Sequence, residues 1–115
     1  MALAICFHPS QLGIHFGWHR SDFGCTTPLE YQAMACTFLQ MAISIRPTIQ
    51  ECIRTNGEIV RYDDVSGEFA VVDPSGIVRT YFKPIPERLA PHGTPSWRKH
   101  TFNTNQEYFE DTCRR

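Results

Sequence analysis

The chain has 115 residues, of which 42% are hydrophobic, 12% aromatic and 20% charged, the balance of one globular domain rather than a disordered segment. Eleven Lys+Arg against twelve Asp+Glu leave a formal charge of -1, which excludes a broadly basic nucleic-acid coat but not a local basic patch. No stretch of about 18 apolar residues occurs, so a helical membrane span is excluded as well.

The N-terminal run MALAICFHPS is briefly apolar, lacks a basic leading region and meets Pro9, so it does not read as a secretory signal. From about residue 10 to residue 56 the pattern is helical. Thr27-Pro28 supplies an N-cap and a first-turn proline, with Glu30 in the first turn. Tyr31, Met34, Ala35, Phe38, Leu39, Ala42 and Ile45 then recur at three- and four-residue spacing. Pro47 interrupts, and a short helix holding Ile49, Cys52 and Ile53 is expected to restart and to stop at Asn56-Gly57.

Beyond Gly57 the period changes. GEIVRY, GEFAVV and GIVRTYF are short β-rich runs separated by DDVSG and DPSG, which are turn compositions, so three antiparallel strands form a meander. Alternation in the third run puts Ile77, Arg79, Tyr81 and Lys83 on one face and Val78, Thr80 and Phe82 on the other. One face must cover the helices, leaving the other to meet a ligand. Pro84, Pro86, Pro91, Gly93 and Pro95 mark an irregular loop of about twenty residues, a length that is usually functional or mobile. Asn103 to Asn105 cap a final helix with Tyr108 and Phe109. The expected class is α+β, one domain over residues 1–115, with N-terminal helices on a small antiparallel sheet and a short C-terminal helix.

Five cysteines with no CxxC pair argue against a zinc ribbon or a disulfide scaffold. Cys36 and Cys52 fall among apolar residues at helical positions and read as reduced core residues, which fits a cytosolic environment.

Three sets of residues could carry chemistry. On a helix, His15, His19 and Asp22 share one face, a trio that suits a general acid and base with an orienting carboxylate, a metal site, or simply a hydrated face. Arg61, Arg79, Thr80, Tyr81 and Lys83 concentrate cations and hydroxyls on the strands, where they can stabilise charge on a phosphodiester or merely face water. In the tail, His92, Trp97, Arg98, Lys99, His100 and Tyr108 offer charge and stacking to a single-stranded nucleic acid, or simply form a solvated loop. No P-loop, dinucleotide fingerprint or GxSxG occurs.

HFGWHRSDFG, PLEYQAMACTFL, the long run GEIVRYDDVSGEFAVVDPSGIVRTYFKP and a late NxxYF together resemble the toxin domains of the barnase/EndoU/colicin/RelE-like nuclease superfamily. These are small C-terminal domains of contact-dependent inhibition and polymorphic toxins. The resemblance covers about residues 12–110. It implies a metal-independent endoribonuclease without a cofactor, commonly directed at tRNA, that acts in a bacterial cytoplasm after delivery as part of a secreted toxin. A cognate immunity protein would neutralise it. It also implies catalytic roles for His15 or His19, Arg61, Thr80, Lys83 and Tyr108, with Arg79, Tyr81, Arg98, Lys99 and His100 contacting substrate. The competing expectation is a non-catalytic module that binds nucleic acid or protein on the same scaffold.

Overall fold

The computed structural model describes Phe7 and residues 9–115. Residues 1–6 and 8, on which the reading of the N-terminal run falls, lie outside the described residues, as do the side chains of residues 9–11 and 20–22, Asp22 among them. The class is mixed α+β, as expected: α1 (Pro9–Phe23), α2 (Pro28–Gln40), strands β1 (Ile49–Ile53), β2 (Ile59–Asp63), β3 (Phe69–Val72) and β4 (Val78–Phe82), a short β5/β6 pair (Ile85–Pro86 and Lys99–His100), and α3 (Asn105–Arg114). No helix of the described residues is long and apolar enough to cross a membrane.

Thr27 caps α2 through its hydroxyl, which accepts from the Glu30 amide at 3.2 Å. The helix ends at Gln40 rather than running on to Ile45, because Met41 is extended (φ -66°, ψ 123°) and the chain turns on the Ala42 carbonyl. The segment after Pro47 is a strand and not a restarted helix. Ile49 is buried and Ile53 exposed, and all five residues of β1 pair antiparallel with β2, from Ile49 opposite Asp63 to Ile53 opposite Ile59. Three apolar residues at apparent helical spacing cannot be told from a β-rich run by period alone, and the partner strand decides. The sheet is therefore a four-stranded meander, β1-β2-β3-β4.

Register sorts the side chains. Glu51, Arg61, Ala70 and Tyr81 lie in one row across the sheet, and Tyr62, Phe69 and Phe82 in a row on the opposite face. Between β3 and β4, Val71 pairs with Thr80 but Val72 pairs with Val78, so Arg79 is an extra, bulged residue. The bulge moves Val78 to the face of Tyr81, away from Thr80 and Phe82, which corrects the simple alternation. Ile49, Ala70, Val78 and Tyr81 pack with Phe7, Tyr31, Ala35 and Phe38 under α1 and α2. Val60, Tyr62, Phe69, Val71 and Phe82 pack with Phe109 under α3. Both faces are thus covered.

The cysteine reading is overturned. Cys52 and Cys113 form a disulfide that ties β1 to the end of α3, and Cys36 is disulfide-bonded as well. Only Cys25 is a free thiol among the described residues, buried with its Sγ 3.3 Å from Met34 Sδ. Spacing along the chain says nothing of which thiols meet once a strand and a distant helix pack together.

Candidate functional site

Two groups of residues lie along β4, one about Arg79 and Thr80 and the other about Phe82. The first is a polar groove of about 480 Å³ lined by Arg54, Asn56, Glu58, Val71, Arg79 and Thr80. The bulge turns Arg79 so that its guanidinium bonds Glu58 at 2.7 Å, and Arg54 takes the same carboxylate at 2.6 Å. Glu58 is held below the ordinary carboxylate range by the Asn56 amide first, against the upward push of burial, and then by Arg79 and Arg54. Two guanidiniums and the Thr80 hydroxyl therefore share one concavity with a single bound carboxylate. Arg54 was not expected there, since it stands outside the strand motifs.

The second group is a wall of rings. His19 is 3% exposed, with its ring 5.3 Å from Phe82 and 6.5 Å from Tyr31. Phe82 faces Tyr108 edge-on at 6.5 Å, and Tyr108 stacks on His100 at 4.5 Å and 10°. A histidine of the first helix and a histidine of the tail thus end on one aromatic surface. Burial pushes the Tyr108 phenol above its usual range, so it keeps its proton at neutral pH.

His100 is oriented with unusual definition. The Asn105 amide nitrogen donates to the Pro84 carbonyl at 3.0 Å, which turns its Oδ1 toward His100 Nε2 at 2.7 Å. An amide oxygen only accepts, so Nε2 carries the hydrogen and the neutral ring has its lone pair on Nδ1. That Nδ1 is buried and has no hydrogen-bond partner among the described residues. Arg98 donates from Nε to the neighbouring Lys83 carbonyl at 2.7 Å, so a guanidinium and the oriented imidazole anchor on one corner of chain. Tail residues two apart, usually left to a loop, acquire this geometry because β6 pairs with β5, Lys99 opposite Ile85 and His100 opposite Pro86.

The remaining expected site residues are engaged otherwise. Arg61 is buried; its Nε pairs with Glu51 at 2.6 Å and its Nη1 donates to the carbonyls of Phe38 and Met41 at 2.8 and 2.7 Å. It binds the end of α2 to the sheet, so it is a clamp and not a phosphate contact. Tyr81 is wholly buried, donates to Glu68, and burial with that carboxylate drives its hydroxyl far above the normal range. The Lys83 ammonium lies 5.3 Å from the Phe23 ring centre, on the α1 face, apart from Thr80. His15 is half-buried against Phe7, Trp18 and His19, its pKa lowered by burial and then by His19. Lys99 is half-buried on β6.

Among the described residues no group of three or more His, Cys, Asp or Glu side chains is placed to hold a metal ion. Comparison with protein-family models finds no match, and comparison with curated proteins finds none either.

Proposed function

We propose that the domain is a metal-independent endoribonuclease of the barnase/EndoU/colicin/RelE-like kind, with His100 as its base in place of the helix histidines. The observation that supports this is the chain of bonds from the Pro84 carbonyl through Asn105 to His100 Nε2, which leaves Nδ1 as an unused buried acceptor. A second ring atom fixed by an amide is the arrangement that holds a catalytic imidazole in one tautomer.

Nδ1 of His100 is covered in the structure, so the incoming RNA must first uncover it; Nδ1 then takes the proton of a ribose 2′-hydroxyl. The oxygen attacks the adjacent phosphorus, and the bond to the 5′-oxygen breaks as that oxygen receives a proton from the Tyr108 hydroxyl. The products are a 2′,3′-cyclic phosphate and a free 5′-hydroxyl, and the proton on His100 returns to Tyr108 through water. Arg98 supplies positive charge as negative charge grows on the phosphoryl oxygens. Thr80 and Phe82 share one face of β4, so the strand can continue from Tyr108 toward Thr80, Arg79 and Arg54, whose charges suit the flanking phosphates. In this reading RNA, tRNA foremost, is the substrate and an immunity protein is the partner.

The purified domain is expected to cut total bacterial RNA at discrete places in EDTA and to leave cyclic phosphates. His100→Ala should lower the rate about 10²–10⁴-fold while the fold persists. A folded wild-type protein that leaves several RNAs intact, or full activity in His100→Ala, overturns the assignment. The second reading, a non-catalytic binding module, is favoured by the internal engagement of Arg61 and Tyr81 and by the burial of His19. It predicts RNA retention without new ends.

A further inference from the structure

Trp18 on α1 and Trp97, next to Arg98, come from distant parts of the chain and meet with ring centres 6.2 Å apart at 35°. Each is 48% exposed. Large aromatic rings bury surface when they are free to do so, and these two instead keep half of theirs in water. We infer that the pair is a stacking platform for an unpaired nucleobase, and so restricts the substrate to RNA that is single-stranded beside the cleaved bond. The inference rests on the ribonuclease reading for its place in the reaction, though not for its test.

Position and charge favour a base over an apolar peptide. The described rings that touch Trp18 are His15, edge-on at 5.5 Å, and His19 at 6.3 Å, which are polar groups rather than an aliphatic surface. Arg98 and Lys99 follow Trp97 directly, so the platform has cations at its border for the phosphate that accompanies a base. The ring series continues from Trp18 to His19, Phe82, Tyr108 and His100, which joins the platform to the proposed base. Every nucleobase has a flat face, so the platform selects for strandedness and tolerates sequence. A base held inside a duplex stays stacked on its neighbours and cannot reach it.

The chain has only two tryptophans, so fluorescence excited beyond the absorption of its four tyrosines reports on this pair alone. The full domain should be titrated with a single-stranded DNA hexamer, which lacks the 2′-hydroxyl and cannot be cleaved, and with the same hexamer as a duplex. Quenching by the single strand that exceeds quenching by the duplex is expected. Trp97→Ala should weaken single-strand binding roughly 5- to 150-fold by loss of one stacked base, as read by anisotropy of labelled hexamer, while Trp97→Phe keeps most of it. Equal quenching by duplex and single strand, or unchanged binding by Trp97→Ala, overturns the platform and leaves the pair to a protein partner. If single-strand binding depends on Trp97 but no RNA is cut, the platform stands and the nuclease reading alone fails.

Discussion

Asp63 has no exposed surface, yet it is ionised. Its carboxylate pairs with Arg46 at 2.6 Å and accepts from the Val65 amide at 2.9 Å, while Arg46 also pairs with Glu68 at 2.6 Å. Burial alone pushes the carboxyl up, but the Val65 amide, the Thr48 hydroxyl and Arg46 together outweigh it and hold it below the ordinary range. An Asp in the unfolded chain titrates near about 3.9. The folded value is lower, so the unfolded state binds more protons as pH falls. The stabilisation is complete above the unfolded value and is lost as pH drops through the folded one. Asp63→Asn is expected to lower stability at pH 7 by about 1–3 kcal/mol and to flatten its dependence below pH 4, which denaturant titrations across pH would reveal. The same scale explains a misreading. Arg61 stands in a motif that suggests phosphate contact, but its acceptors are the carbonyls of Phe38 and Met41, more than a helix turn away and invisible to local spacing.

At the scale of elements, α3 matters most. It carries Asn105, which orients His100, Tyr108, which stacks on it, and Phe109, which fills the core under the sheet. Its N-cap was legible: Thr104 accepts from the Glu107 amide at 3.1 Å, among the polar residues from Asn103 to Asn105 that announce a helix start. Its covalent tie was not, because Cys52 and Cys113 are separated by 61 positions. By the chain-entropy model a loop of that length contributes about 4 kcal/mol. Reduction, or Cys52→Ser with Cys113→Ser, should cost stability of that order in denaturant unfolding and should also weaken RNA cleavage, since α3 bears half the proposed machinery. Strands β2 to β4 were readable from their turns, with Asp73 accepting from the Ser75 and Ile77 amides at 2.9 and 3.0 Å. The bulge at Arg79 was not, for a single extra residue leaves no mark in composition, and it alone aims Arg79 at Glu58.

For the whole molecule, a formal charge of -1 means that attraction to RNA must come from local placement. Arg98, Arg79 and Arg54 lie along the proposed path, and Glu58 offsets one of the last two charges, so about two phosphates are neutralised. For single strands this gives a slope of about -1.4 in log K against log salt, measurable by anisotropy between low and physiological salt. A slope several times steeper would require a basic surface elsewhere. The general class, helices first and then a meander, follows from the change of period after Gly57. The aromatic wall does not, since its members come from α1, β4, β6 and α3 and meet only when the whole chain has packed.

The bridge between Cys52 and Cys113 also makes a ring of the chain, and that ring encloses β2 to β6 and nearly all of α3. Its outermost bend is the exposed turn in which the Thr94 amide meets the Pro91 carbonyl at 3.1 Å, with Gly93 at φ 90°. A single backbone scission at that bend would open the ring without dividing the molecule. Both halves of the site, β4 on one piece and His100 with α3 on the other, would remain joined through sulfur until a reductant released them.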